Sequence, residues 1–306
     1  MTYVIIFQKE MSKMGIVSLI ATVFCNSFKG FLSKKMSGII NTMTQNLSVN
    51  FLRSILCAVI AFCMIAVSGP GAMKCGIGPL VIFAICGICM AIFQYMWLYT
   101  VKIGAYMLVS GFSSASFILP AIGGILFLGE KLSGFDAIAI VSISVAVCFL
   151  IKYNGKTKYK MTPTSFLSLL SITVSQGLMQ FLQKYYMSTF SNAEGQIYSF
   201  YVFLFASLFM GILLLFKKGG EDEKIQASKL RVSGFVVGLS VALFGATYFQ
   251  TVAASYFPAI LLYPILNVLS LVSGTLMSIF LFKERPNRDS ITGIILVGVA
   301  MVMYSL

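Results

Sequence analysis

The sequence FLSK at residues 31–34 recurs as FLQK at residues 181–184, 150 positions later. A second pair follows, because FLGEK at residues 127–131 recurs as LFKER at residues 281–285, 154 positions later. Both pairs lie at the ends of long apolar segments. A duplicated block of membrane helices is a common architecture for a carrier whose binding site lies between two halves. The repeat therefore predicts a membrane protein built from two related units.

The composition supports a membrane environment. The 306 residues are 58% hydrophobic and only 10% charged, with a mean hydropathy of +0.94. A soluble domain of ordinary composition carries about 25% charged residues. Most of the surface of this chain must therefore face lipid and not water. The first apolar segment is not followed by a small-residue cleavage site, so we expect it to be retained as a membrane helix and not removed as a signal peptide.

Ten apolar segments are each long enough to span a bilayer as a helix, which takes about 20 residues. They lie at residues 14–34, 47–68, 78–100, 105–128, 134–152, 165–186, 196–216, 232–253, 259–282 and 289–306. A polar break separates the first five from the last five, which predicts a first unit at 1–153 and a second at 154–306. Because five is odd, the second unit must enter the membrane from the opposite side. The sequence thus predicts an all-α integral membrane fold of ten helices in two inverted five-helix repeats.

The net charge of +13 does not indicate a nucleic-acid partner, because the basic residues are scattered through short loops. Their distribution instead predicts orientation. Loops on the side of Lys9, Lys13 and Lys74 hold few basic residues, and the opposite loops hold most of them. Positively charged loops stay in the cytoplasm. We therefore expect a multi-pass protein of the plasma membrane, in a bacterium the inner membrane, with both termini outside the cytoplasm.

Several motifs resemble those of one transporter family. The third segment ends in QYMWLY at 94–99, and the fourth opens with IGA at 103–105, for which FPA at 257–259 is the counterpart. The fourth segment contains Pro120 and ends in the FLGE motif described above. Together with the five-plus-five arrangement, these features resemble the EamA-like branch of the drug/metabolite transporter superfamily over nearly the whole chain. The resemblance implies export or import of small metabolites, amino acids or drugs by alternating access.

Two cations fall inside predicted membrane helices. Lys29 lies in the first helix and Arg53 in the second. A cation in the hydrocarbon core costs about 2.5–3.5 kcal/mol on insertion scales, so such residues usually face a cavity or a partner. Snorkelling to the membrane surface is the alternative, since both side chains have long stems. The acidic residues lie in or beside the polar breaks and none lies deep in a predicted helix. Lys29 therefore suits a substrate with a carboxylate or phosphate, and a neutral or zwitterionic solute remains the alternative.

Two polar helix faces match through the repeat. Asn26, then Lys29 or Gly30, and Ser33 share a face of the first helix by their spacing. The equivalent face of the sixth helix holds Gln176, Gln180 and Gln183, and Gly30 is the counterpart of Gln180. These amides could bind substrate or bond to each other across helices. The charged position is asymmetric, because Lys29 aligns with Met179.

We expect a substrate cavity lined first by Asn26, Lys29, Gln176 and Gln180. Four further candidates share polar stripes on the other helices: Gln94, Tyr248, Tyr263 and Asn267. The family resemblance implies a cavity between the first, third, fourth, sixth, eighth and ninth helices, whereas close helix packing is the alternative reason for small residues on these stripes. Glu130 and Glu284, at helix ends beside Lys131 and Arg285, are expected to be structural or gating residues.

The sequence therefore predicts a secondary transporter that moves a small polar metabolite, such as an amino acid or organic anion, by alternating access. Its expected partners are that solute, the lipid bilayer and either a coupling ion or an exchanged solute. A non-transporting membrane scaffold or accessory subunit is the alternative. An enzyme is disfavoured, because the chain has no histidine and no pair of membrane carboxylates for acid/base chemistry. No phosphate-binding glycine loop is present, and no cofactor or metal is expected.

Overall fold

The structure is a computed structural model that describes residues 2–68, 75–103, 106–131, 134–153, 162–190, 193–216 and 229–282, with short helical pieces between 288 and 299. The described residues are almost all helical. The helices are α1 Thr2–Ser37, α2 Met43–Ser68, α3 Ile77–Ile103, α4 Tyr106–Ser114, α5 Ile118–Leu128, α6 Gly134–Tyr153, α7 Pro163–Thr189, α8 Gly195–Phe216, α9 Lys229–Tyr256 and α10 Ala259–Phe282.

Seven of the helical segments are long and apolar enough to cross a membrane, and α10 contributes a shorter apolar stretch at Ala259–Gly274. Large apolar side chains point outward from the bundle: Phe24 is 71% exposed and Phe216 is 81% exposed. Such a surface is costly in water and is favourable in lipid. The chain is therefore an α-helical, multi-pass membrane protein.

The first nine predicted segments coincide with helices to within a few residues, apart from an extension of α1 toward the N-terminus. The fourth differs in kind, because it is broken into α4 and α5 by a short 3-10 turn at Ala115–Phe117. Pro120, three residues beyond the turn, has no N–H to donate to the carbonyl of Ser116, which explains why a regular helix does not continue through this point. Most of the tenth predicted segment, 289–306, lies outside the described residues, as does the polar break that follows α6.

Helix ends have local causes. At the start of α7, the Thr162 hydroxyl accepts a hydrogen bond from the Ser165 N–H at 3.2 Å, and Pro163 occupies the first helical position. Both features stabilise a helix N-terminus. At the end of α5, Gly129 adopts a left-handed conformation with φ of 64°, and the N–H of Glu130 then bonds back to the Gly124 carbonyl at 3.1 Å. This left-handed turn is the usual position for a helix-ending glycine.

The helices of the two predicted units pack mainly against each other. α1 lies along α9, α2 along α8, and α3 between α7 and α8, while α10 packs on α1, α4 and α5. Close approach depends on small residues. A Cβ on Gly87 of α3 would lie 2.5 Å from the Cβ of Phe205 in α8, and one on Gly245 would lie 2.9 Å from the Cys25 sulfur. This packing brings the polar faces of α1, α3, α4, α7 and α10 to a common interior.

Candidate functional site

A polar cavity lies where these five helices meet. Its volume is about 50 Å³, which is room for a few water molecules, since one needs about 10–15 Å³ on this measure. Its lining residues come from both predicted units: Asn26, Lys29, Phe93, Trp97, Ser110, Ser113, Ser114, Gln176, Asn267, Ser270 and Leu271. Four of the eight predicted site residues are among them, namely Asn26, Lys29, Gln176 and Asn267.

Lys29 is the charged group of this cavity. Its ammonium nitrogen donates a hydrogen bond to Oδ1 of Asn26 at 2.8 Å and lies 5.6 Å from the centre of the Phe93 ring. Asn26 is one helical turn before Lys29, so α1 itself holds the two side chains together. The lining, as far as the structure describes it, contains no aspartate or glutamate. The cation is therefore turned inward toward the cavity and has no carboxylate partner there.

Arg53 forms a second buried cation beside the first. It is 2% exposed, and its Nη1 donates to Oδ1 of Asn50 at 2.6 Å. Asn50 in turn donates to Oδ1 of Asn46 at 2.7 Å, and Asn46 donates to the Tyr95 carbonyl at 3.1 Å. This row of amides fixes the guanidinium in place without neutralising its charge.

Gln94 belongs to the layer of polar groups around Arg53 and not to the cavity lining. Its Nε2 donates to the Ser54 hydroxyl at 3.2 Å, and its backbone carbonyl accepts from Asn50 at 3.3 Å. The side chain is buried between α2 and α3. Gln94 therefore joins α2, which carries Arg53, to α3, the helix that supplies Phe93 and Trp97 to the cavity.

The break between α4 and α5 forms one wall of the site. Asn267 in α10 donates to the Ser114 carbonyl at 3.2 Å and to the Ser116 hydroxyl at 3.0 Å. Gln180 in α7 donates to Oδ1 of Asn267 at 3.1 Å and accepts from the Ser116 hydroxyl at 3.2 Å. Ser113 also donates to Gln176. Backbone groups that the 3-10 turn leaves without helical partners are thus satisfied by side chains of the other unit.

Gly177 allows this wall to approach α7. A Cβ at Gly177 would lie 2.6 Å from the Ser116 carbonyl oxygen and 2.7 Å from a methyl carbon of Leu119. Any side chain there would push the broken helix away from Gln176 and Gln180. The sequence offered only a weak signal for this role, because glycine in a membrane helix is common.

Gln183, on the same side of α7 as Gln176 and Gln180, is hydrogen-bonded to α9 and α10. Gln183 is 2% exposed, and its Nε2 donates to the Thr251 hydroxyl at 2.6 Å. Its Oε1 accepts from Gln250 at 2.8 Å and from the Tyr263 hydroxyl at 3.4 Å. Tyr263 is fully buried. This predicted site residue therefore lies in a closed polar network that joins α7, α9 and α10.

Tyr248, another predicted site residue, lies among apolar side chains and does not line the polar cavity. Its ring stacks on Phe244 with centroids 5.9 Å apart and contacts the backbone region of Gly195. It is part of the apolar core that α8 and α9 share. The six helices that the family resemblance implies correspond to α1, α3, α4, α7, α9 and α10. Five of them line the cavity that the structure describes, and α9 contributes no side chain to that lining.

Sequence reasoning missed the aromatic wall. Phe93 and Trp97 lie one turn apart on α3, with ring centroids 5.5 Å apart, and both line the cavity. Trp97 is the single tryptophan of the chain. The spacing of four residues between Phe93 and Trp97, which puts both rings on one helix face, is the sequence signal for this wall.

Glu130 and Lys184 lie at helix ends away from the cavity. The Glu130 carboxylate accepts hydrogen bonds from the N–H groups of Ala259 at 2.7 Å and Ile260 at 3.0 Å, at the start of α10. Lys184 donates to the carbonyls of Ala254 at 2.9 Å and Phe257 at 2.7 Å, at the end of α9. Each charge has the sign that its helix terminus favours. Glu284, the counterpart of Glu130, lies outside the described residues.

The FLGE motif has a physical explanation in this geometry. The left-handed Gly129 turns the chain so that Glu130 reaches the first turn of α10, and Gly124 leaves room for the carboxylate, since a Cβ there would lie 2.5 Å from Oε2 of Glu130. Glu130 is therefore a cap for a helix of the other unit.

Neither a family model nor any curated protein matches the sequence. Solved structures do match it, in 28 chains. One is the crystal structure of a protein that is 10% identical to this chain, with an alignment that covers 97% of this chain and 96% of the other at a TM-score of 0.72. At this identity the similarity concerns the fold alone. The chain thus has, over nearly its whole length, a fold that is found in a crystallised protein.

Proposed function

We propose that the protein is a secondary transporter that moves a small polar metabolite across a cell membrane by alternating access. The observation that carries the proposal is a polar cavity, lined from both units, that holds a cation with no carboxylate partner among the described residues. A tightly packed scaffold has no need for such a cavity, because an intramembrane charge costs stability and is usually kept for function.

The proposed architecture is that of the EamA-like drug/metabolite transporters, with ten helices in two inverted repeats. Helix packing supports it. Exchanging α1, α2 and α3 with α7, α8 and α9 converts the α1–α9 contact into the α7–α3 contact, and the α2–α9 contact into the α8–α3 contact. The α1–α10 contact becomes the contact between α7 and the α4–α5 pair in the same way. An interior approximately unchanged by this exchange is what two repeats around a common axis require.

Inverted repeats suggest how access would alternate. The two units would rock against each other around the cavity, so that an opening on one side of the membrane is replaced by an equivalent opening on the other. Where a side chain of one unit caps a helix of the other, as Glu130 caps the start of α10, the two helix ends would move together. In this proposal the protein lies in the plasma membrane with both termini outside the cytoplasm, and a gradient or an exchanged solute drives transport.

The test begins with a ligand. Purified protein is screened by thermal shift against pools of metabolites, since a ligand of the folded state raises the melting temperature. A stabilising metabolite is then offered to proteoliposomes that contain the wild type, Lys29→Ala or Gln180→Ala. The proposal expects saturable uptake by the wild type and impaired uptake by both variants. Wild-type kinetics in both variants would mean that the site is wrongly assigned, and stabilising ligands that are never transported would favour a non-transporting protein.

A further inference from the structure

The charges around the cavity are unbalanced. Lys29 lies over the ring of Phe93 in α3. Asn50, the hydrogen-bond partner of Arg53, donates to the carbonyl of the next residue, Gln94, so both cations lie near one turn of α3. Among the described residues, neither makes an ion pair with a carboxylate, and the Nε of Arg53 has no hydrogen-bond acceptor. Buried charges in proteins are normally paired or bind a ligand of opposite sign. Two adjacent cations without a counter-charge therefore favour an anion as the missing partner.

Lys29 and Asn26 have donor hydrogens that no group in the described part of the chain accepts. Lys29 can only donate, so Asn26 must present its oxygen to it, and the Asn26 amide hydrogens are left for another acceptor. The ammonium itself has further hydrogens beyond the one used by Asn26. Ser270 adds a buried hydroxyl with no partner in the described part of the chain. A ligand that fits these groups must supply several acceptor oxygens.

We infer that the ligand of this cavity carries an oxyanion, a carboxylate or a phosphate, which is held by Lys29 and the Asn26 amide. The inference rests on the proposed function and specifies its substrate class as small organic or inorganic anions. The volume of about 50 Å³ limits what this conformation can hold to a compact anionic group. Carboxylate and phosphate oxygens make charge-assisted hydrogen bonds to lysine, which are stronger than neutral ones.

The aromatic wall gives the inference a direct readout. Because Trp97 is the only tryptophan of the chain and lines the cavity, tryptophan emission reports on the surroundings of this site. Its ring lies beside Phe93, which contacts Lys29. An anion that binds Lys29 therefore enters the immediate surroundings of the indole and changes its emission, whether or not transport follows.

The experiment titrates the purified full chain in detergent with sodium acetate, sodium lactate and sodium phosphate, at constant ionic strength, and records Trp97 emission. Glycerol and choline chloride serve as neutral and cationic controls. We expect a saturable change with at least one oxyanion, and the acetate and phosphate arms identify which group is preferred. Lys29→Met, which places the residue found at position 179, should weaken binding at least tenfold, because a hydrogen bond to a charged group is lost.

Two further variants keep the test decisive. Lys35→Met removes an exposed lysine from the same helix and should bind as the wild type does. Lys29→Arg keeps the charge and should retain saturable binding, which covers the case in which Lys29→Met does not fold. The inference is overturned if no oxyanion gives a saturable change, if glycerol or choline acts equally well, or if Lys29→Met binds like the wild type.

Failure of this inference can be distinguished from failure of the proposed function. Oxyanion binding that depends on Lys29, without uptake of any bound anion into proteoliposomes, would leave the inference standing and remove the transport proposal. Saturable uptake of a neutral solute that is unaffected by Lys29→Met would retain transport and remove the inference.

Discussion

The cavity-facing side of α1 and the matched side of α7 have similar sequences and opposite properties. Asn26 corresponds to Gln176 and Lys29 to Met179, 150 residues apart. On α1 the face holds an ammonium whose only hydrogen bond among the described residues goes to Asn26. On α7, Gln180 and Gln183 bond to neighbouring helices on both ends of their amides. Gln180 and Gln183 therefore stabilise the bundle, whereas the α1 face keeps bonding capacity for a ligand.

Replacing Lys29 with Met tests this comparison most strongly, because it makes the α1 face like the α7 face. We expect oxyanion binding to fall at least tenfold. The same variant should fold at least as stably as the wild type, since it removes an intramembrane charge that costs about 2.5–3.5 kcal/mol on insertion scales. Ligand titration and the melting temperature without ligand measure the two effects. A large loss of stability would mean that Lys29 is a structural residue.

Substitution of Gly177 by Ala should lower the free energy of unfolding of the protein by about 1–3 kcal/mol, as overpacking usually does. The new Cβ would lie 2.6 Å from the Ser116 carbonyl oxygen. Gly234→Ala is a matched control, because a Cβ at Gly234 meets nothing within 4 Å. Denaturation in detergent compares the two. Equal stability of the two variants would show that the broken helix does not rest on Gly177.

Gln183→Leu and Gln176→Leu separate two roles of the α7 face, its contacts with other helices and its part in the cavity lining. Gln183→Leu leaves donors of Gln250 and Tyr263 and the Thr251 hydroxyl without their partner, so it should cost about 1–3 kcal/mol of stability. Gln176 lines the cavity, so its replacement should weaken oxyanion binding more than it lowers the melting temperature. The comparison would be wrong if Gln183→Leu impaired binding at unchanged stability.

Glu130→Ala should have the smallest effect, a loss of about 1 kcal/mol, because it removes the side-chain cap from the start of α10. Glu130→Gln should recover part of this loss, since an amide oxygen can still accept one backbone N–H but carries no charge to favour the helix terminus. The melting temperatures of the three proteins provide the measurement. A larger loss in the glutamine variant than in the alanine variant would contradict the capping role.

The sequence predicted most helix positions, because long apolar segments with polar breaks leave few alternatives in a membrane. Of the eight site residues predicted from intramembrane polarity, four line the cavity. It could not separate Gln176, which lines the cavity, from Gln183, which is bonded on both ends, since both are glutamines on one helix face. That difference depends on which side chains of α9 and α10 arrive opposite each residue. The break at Ala115–Phe117 was not predicted either, although Pro120 is a residue that interrupts helices.

Uptake into proteoliposomes tests the central claim, that the protein transports a solute through the cavity of Lys29, most directly. The measurement compares the wild type, Lys29→Met and Lys35→Met for the anion that changes Trp97 emission, at matched protein incorporation. The account predicts saturable uptake by the wild type and Lys35→Met and at least tenfold slower uptake by Lys29→Met at low anion concentration. No uptake by the wild type, or the same kinetics in Lys29→Met, would contradict it.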